Sequence, residues 1–239
     1  MRNKPIAPIQ RPKSLCDIAV ESIRNAIIRG SYELGEALSE AMLVQSLGIS
    51  KTPIREALSV LKQEGLVSVI PQKGTFVFTL SADEVSQLGY YRYALESTAI
   101  DMAMAQNSNA LVKNLLKICA SMDKARSKGE LAEYLELDSN YHDAIFHHCG
   151  NKYLVEGYSF VNGKIAALRT HLSSHPTHTD KSFHEHFEIA ELLEQGKKEE
   201  ARLLLKRHVT RGERSYADAV DDIAEADKKA GLRNKHKRG

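Results

Sequence analysis

Apolar residues recur at helical spacing from the start of the patterned chain. Leu15, Ile18, Ala19, Ile23 and Ile27 share one face, and Gly30 offers a stop. This predicts an amphipathic helix. A second, shorter helix is predicted from Ser39 to Leu47, with Ser39 as its cap, Leu43 and Leu47 facing inward and Gly48 at its end. The stretch ISKTPIREALSVLKQEGL predicts a third. Ser50 or Thr52 can cap it, Pro53 falls in the first turn where a missing N–H costs little, and Gly65 ends it. Ile54, Leu58 and Leu61 form its apolar stripe, which gathers Lys51, Arg55, Ser59 and Lys62 on the opposite face. Beyond Gly65 the period changes. LVSVI and TFVFTL are short β-branched and aromatic runs joined by PQKG, a hairpin whose tip carries Gln72, Lys73 and Gly74.

From SADEV onward the chain reads as helix throughout. Helices are predicted near 83–106, 109–128, 130–149, 152–171, 180–195 and 198–224, with breaks at Gly129, Gly150, Pro176 and Gly196. Six helices of this length form one antiparallel bundle, an architecture in which facing helices build ligand and metal sites. The expected fold is mainly α: a winged helix-turn-helix followed by an all-α six-helix antiparallel bundle.

Length and composition agree with two domains. The chain has 239 residues, 42% of them hydrophobic. The expected division is a winged helix-turn-helix domain over 14–80 and a helical domain over 84–222. Flexible basic arms are expected at 1–13 and 225–239, which lack apolar periodicity. A formal net charge of +2 means that any nucleic-acid surface is local. No apolar run approaches the roughly 18 residues of a membrane span, and the charged N-terminus has no secretory core, so a cytoplasmic protein without membrane contact is expected. Cys16, Cys119 and Cys149 are scattered, as buried thiols of a reducing compartment are.

A cationic helix face is usually just a solvated surface. Two neighbours change that here. The link GIS between the second and third helices suits a helix-turn-helix, and the basic-tipped hairpin that follows suits a wing. At this point the sequence resembles the GntR family of bacterial transcription regulators, through LSEAMLVQSLGISKTPIREALSVLKQEGLVSVIPQKGTFV and above all through SKTPIREAL. The resemblance implies double-stranded operator DNA as partner. It places Lys51, Thr52 and Arg55 on the DNA from a recognition helix beginning at Ser50, and brings the tip Gln72, Lys73 and Gly74 to the minor groove. The chain departs from the pattern at Ala41, beside Glu40, where the family often has an arginine.

In DSNYHDAIFHH, Asp138 and His142 stand one helical turn apart and can reach one ion. Alone, such a pair is common by coincidence. In FHEHFEIAELLEQGKKEEARLLLKRHV, His186 lies on a helix whose Ile189 and Leu193 look inward, and His208 follows Leu204 and Leu205 on an apolar side. This string resembles the FCD ligand-binding domain of the FadR branch of the GntR family, which carries an Asp-xxx-His pair, an EH on a later helix and a further His on the last. The resemblance implies Asp138, His142, His186 and His208 as ligands of a divalent metal ion, and six helices suggest the VanR-like subgroup. His184 should face away from His186, and His147, His148, His171, His175, His178 and His236 are expected to be bystanders.

Three imidazoles and a carboxylate suit zinc first, with nickel or manganese as alternatives. The same set would suit a hydrolase, but no motif such as HExxH supplies a general base. A ligand-responsive repressor is the better expectation, and no enzyme activity is expected. Arg92 and Arg169 match positions where the family often carries arginine, which can hold a carboxylate bidentately; the alternative is an internal ion pair with a residue such as Glu96. The resemblance implies a small carboxylate effector, an organic or sugar acid. The expected molecule is a homodimeric regulator whose grip on DNA is set by such an acid bound near a metal. A metal-ion-responsive repressor and a metal-dependent enzyme fused to a DNA anchor are the alternatives.

Overall fold

The computed structural model describes residues 13–173 and 176–211. Most of the N-terminal arm, the C-terminal tail, His236 and the expected continuation of the last helix to 224 lie outside the described residues. So do His175 and the side chain of His178. The chain divides into two compact units, one ending at Phe78 and one running from Thr79 onward.

The first unit contains α1 (Leu15–Ile28), β1 (Ala37–Leu38), α2 (Glu40–Leu47), α3 (Lys51–Gln63), β2 (Val67–Ile70) and β3 (Gly74–Val77). Its core is built by Ile23 and Ile27 of α1, Leu43 of α2 and the expected Ile54, Leu58 and Leu61 of α3, with Ala57 beside them, whereas Leu15 and Ile18 of the expected α1 face are exposed. Ser39 caps α2 by accepting from the Met42 N–H, and Gly48 ends it at a φ of 65° that favours glycine. The three strands form an antiparallel sheet in the order β1-β3-β2, with Val67 opposite Val77 and Ala37 opposite Phe76. In the hairpin turn the Lys73 N–H donates to the Ile70 carbonyl across 3.0 Å, and Gln72 takes a φ of 63°. That conformation usually calls for glycine or asparagine, so the tip holds a long polar side chain in strained backbone. β1 is an addition to the expected hairpin. Two residues are too few to show a period.

The second unit is helical: α4 (Ala82–Ser127), α5 (Leu131–His148), α6 (Lys152–Leu172), α7 (Pro176–Glu194) and α8 (Lys198–Thr210). A capping box of Ser81 and Glu84 opens α4. The break expected between 106 and 109 is a kink at Asn107, with φ −159° and ψ 82°. Its side-chain oxygen accepts from the Ala110 N–H, so it serves as cap to the second half, and six helical segments result. One expectation is corrected. Pro176 does not break the chain ahead of a helix at 180; it is the first residue of α7, where a fixed φ and absent N–H are tolerated. Gly150, at φ 64°, turns α5 into α6 where a Cβ would come within 2.3 Å of the Gln106 amide. α4 packs along α5, α7 and α8, and α6 packs on α4 and α5. The core between them holds Ile100, Leu111, Leu115, Tyr134, Tyr141 and Leu205. Among the described residues no helix is long and apolar enough to cross a membrane.

Candidate functional site

In the first unit, burial of Ile54, Ala57, Leu58 and Leu61 turns the opposite face of α3 to solvent. Lys51, Thr52, Arg55, Ser59 and Lys62 are all exposed there. Ser50 is the N-cap residue by its backbone but makes no side-chain cap bond, which leaves its hydroxyl outside the helix bonding. Gln72, Lys73 and Gly74 are exposed at the hairpin tip. The Arg55 Nε donates to Glu40 Oε2 of α2 at 2.9 Å, a partner that the sequence pattern did not indicate.

In the second unit, Tyr134, Asp138, Tyr141, His142 and Ile145 form the inward stripe of α5, so one helix face delivers both the carboxylate and the first imidazole. The Tyr141 hydroxyl donates to the His186 carbonyl at 2.9 Å, fixing α7 against α5 at the height of the second imidazole. α8 contributes the third. Ring-nitrogen atoms of His142, His186 and His208 lie within 4.8 Å of one another, and all three residues are buried. His142 Nε2 and His186 Nε2 are 3.0 Å apart.

Carboxylates stand behind the rings. Glu96 Oε2 lies 2.9 Å from His142 Nδ1, and Glu185 Oε2 lies 3.0 Å from His208 Nδ1. An ionised carboxylate only accepts, so each Nδ1 carries the proton and each Nε2 keeps a lone pair. Burial holds His142 and His208 well below the ordinary histidine range, helped next by Arg92 at His142 and by the other two imidazoles at His208. Burial brings His186 down to about 4, against the pull of Asp138. Three neutral imidazoles thus meet in a closed space, and His186 Nδ1 has no hydrogen-bond partner among the described residues. Such a donor set fits a divalent cation, with the two glutamates orienting its ligands from behind.

Asp138 stands beside this group rather than within it. Its Oδ1 is 3.7 Å from His186 Nδ1 and accepts from the Ser182 hydroxyl at 3.4 Å, while Arg169 Nη1 donates to Oδ2. Burial would raise this carboxyl, but Arg169 and the three histidines outweigh it and hold it well below the carboxylate range. Both candidate effector arginines are therefore paired inside the protein. Arg92 Nε donates to Glu96 Oε1 at 2.6 Å, as the alternative had it, and Arg169 also reaches the Ser139 hydroxyl at 3.2 Å. Both nevertheless line a cavity of about 70 Å³, together with His208, Ser182, Leu168 and Arg211.

Sequence reasoning missed Glu185 and Arg211, and named Glu96 only as a partner for Arg92. The available signal for Glu185 was its position next to His186 in HEH, where one residue of helix rotation aims it at α8. His184 and His147 are exposed, while His148 and His171 are half-buried, all four outside the group of three.

Comparison with known proteins agrees with both units. Residues 17–77 match the model of the bacterial regulatory proteins of the gntR family, and residues 87–211 match the FCD domain. The transcriptional regulator YdhC of Bacillus subtilis is 27% identical over 188 residues, covering 78% of this chain and 82% of its own. The transcriptional repressor GlaR of Escherichia coli is 30% identical over 138 residues, covering 56% of this chain and 63% of its own. A GntR regulator from Rhodococcus sp. RHA1 superposes with a TM-score of 0.72 over 83% of this chain and 95% of its own; at 20% identity this speaks for the fold alone. Both curated relatives are named as transcriptional regulators. With more than half its length matched by the FCD model and its N-terminal unit by the GntR model, the chain belongs to the GntR family of bacterial regulatory proteins, as a DNA-binding transcriptional regulator with a C-terminal FCD domain.

Proposed function

We propose that this regulator is a cytoplasmic homodimer whose affinity for operator DNA is set by a small carboxylate bound beside a divalent metal in the FCD domain. The observation that carries the reading is the adjacency of two features. Three buried neutral imidazoles converge in the helical unit, and the cavity touching His208 is lined by Arg92 and Arg169, each with a buried nitrogen that lacks a hydrogen-bond partner. Unpaired buried donors are costly, and an anion would satisfy them. His142, His186 and His208 would hold the ion, zinc first and nickel or manganese as alternatives, and Asp138 would join them on leaving Arg169. The ion supplies an electrostatic anchor for the acid. Among the relatives is the gluconate operon transcriptional repressor of Bacillus licheniformis, 28% identical over 133 residues, whose name contains a sugar acid.

The DNA contacts are assigned to Ser50, Lys51, Thr52 and Arg55 on α3 and to Gln72, Lys73 and Gly74 at the wing. Paired recognition helices on a two-fold site call for a dimer. Tyr90 and Tyr91 on α4 and Tyr153 and Phe160 on α6 are exposed, and Tyr91 reaches the Gly157 carbonyl, so these rings lie on adjoining helices as a candidate contact. The test is a thermal-shift series on the full chain: chelator, then single metals, then metal plus a panel of organic acids, with operator binding measured alongside. A metal-dependent shift that grows with an acid and changes operator affinity supports the proposal. A change of operator affinity by metal alone, indifferent to every acid, would favour a metal-ion-responsive repressor instead.

A further inference from the structure

Two of the imidazoles meet a carboxylate at hydrogen-bond distance, the third has Asp138 3.7 Å away, and an arginine donates to each of the three carboxylates. Arg92 donates to Glu96, which meets His142; Arg169 donates to Asp138, which lies beside His186; Arg211 donates to Glu185, which meets His208. Three carboxylate–arginine pairs therefore surround one point. Their outer ends meet again, because all three arginines line the same cavity. Each also keeps one buried nitrogen without a hydrogen-bond partner among the described residues: Arg92 Nη2, Arg169 Nε and Arg211 Nε.

The charges close simply. Three guanidinium groups against three carboxylates leave this inner cluster neutral, with the imidazoles uncharged and Arg207, 64% exposed, in solvent outside it. Asp143, half-buried and hydrogen-bonded by Asn162, forms no ion pair with these arginines. A divalent cation adds two positive charges in a buried place, where uncompensated charge is strongly disfavoured. One carboxylate of a ligand leaves half of that charge unmatched. Two carboxylates match it.

Of the three arginines, Arg211 is the one that can turn to a ligand most freely. Its partner Glu185 has a second arginine in reach, since Arg207 Nε lies 3.8 Å from Glu185 Oε1, an oxygen with no other partner. Among the described residues, Asp138 and Glu96 have no such second guanidinium within ion-pair distance. The cavity of about 70 Å³ corresponds to on the order of five waters, enough for a short-chain acid.

We propose that the effector is a dianionic acid, a short dicarboxylate, and that Arg211 is the specificity-determining residue that holds its second carboxylate. The inference rests on the metal-assisted, acid-responsive reading given above. Arg92 and Arg169 serve any carboxylic acid that reaches the ion, while Arg211 rewards only an acid with a second charged end.

Calorimetry on the zinc-loaded full chain tests this with acetate and propionate against malonate and succinate, with metal content measured on the same samples. The wild type should bind a dicarboxylate at least tenfold more tightly than the monocarboxylates. Arg211→Gln should raise the dicarboxylate Kd at least tenfold, change monocarboxylate binding less than twofold and leave the metal content unchanged. Arg211→Lys, which keeps the charge but not the fork, should retain part of the preference, and Arg207→Gln, which removes only the substitute partner of Glu185, should lower it less than Arg211→Gln does. Equal wild-type affinity for both acid classes, or a preference that survives Arg211→Gln, overturns the dianion proposal alone. If no acid of either class binds the metal-loaded protein, the underlying acid-responsive reading fails and takes this proposal with it.

Discussion

Replacing His208 with Ala removes one of the three converging imidazoles while leaving α5 and α7 to hold the other two. An ion that binds only the folded chain stabilises it by about 4 kcal/mol when present at a thousandfold excess over its Kd. Loss of one of three imidazole ligands should weaken binding at least ~100-fold, which is about 2.7 kcal/mol and removes most of that gain. For a chain of this size a kilocalorie moves the midpoint by roughly 2–4 °C. The metal-induced rise in Tm should thus fall from the order of 10 °C in the wild type to a few degrees in the variant. The His208 ring is stacked on that of His142, with centroids 5.4 Å apart, so the substitution also costs packing. Taking each shift as metal minus chelator within one variant cancels that cost. His184→Ala is the matched control, because His184 is exposed on the same helix as His186. Differential scanning fluorimetry and elemental analysis on the three proteins purified side by side give the answer. Equal metal in all three, or loss in His184→Ala alone, would refute the assignment of the buried histidines as ligands.

Arg55→Ala should cost about 1–3 kcal/mol of discrimination for operator over random DNA, seen by fluorescence anisotropy, whereas Lys73→Ala should weaken all sequences alike and lower the salt slope by about one. Unchanged specificity in Arg55→Ala would contradict the reading of α3. Without metal, stability should depend on pH through the buried imidazoles: folded His186 sits at about 4 against an ordinary 6.5, so the unfolded chain takes up the proton first. Its contribution is full above 6.5 and is lost as pH falls toward 4, about 2 kcal/mol by pH 5 for His186 alone; urea unfolding in chelator should show this, and a flat profile between pH 7 and 5 would not fit. Sedimentation of the full chain should show a dimer, and Phe160→Asp, at a ring that is 65% exposed, should shift it toward monomer without changing metal content. A wild-type monomer at tens of micromolar would remove the dimer.

The parts legible in the sequence were those governed by local periodicity and punctuation. Ile54, Leu58 and Leu61 fixed the buried side of α3 and therefore its solvent side, and glycines at 48, 65, 129, 150 and 196 marked real ends because each adopts a positive φ there. Pro176 misled because proline has two local meanings, breaker and first helical residue, and only the path of the preceding chain decides between them. Asp138 and His142 could be placed on one face by spacing alone. That Asp138 would turn to Arg169, thirty-one residues away on another helix, depends on how α6 is rotated against α5, which no local pattern encodes. Glu185 and Arg211 escaped notice for the same reason: buried acids and bases look like surface residues until their partners are known.

The ion pair between Arg55 and Glu40 bears on how the protein searches a genome. With side chains 65% and 37% exposed, the pair contributes at most about 1 kcal/mol, so on the proposed reading of α3 Glu40 would give up the guanidinium easily to a guanine edge that offers two acceptors. Where the groove offered none, Arg55 would stay with Glu40, and the acid on α2 would keep the cation from settling on whatever phosphate is nearest. Glu40 would thereby thin out dwell time on random sequence rather than strengthen the final complex. Because the competition is between two acceptors for one cation, added salt weakens both sides together, and the preference for the correct base should outlast the loss of overall affinity. Alanine at position 41 leaves that competition to a single arginine.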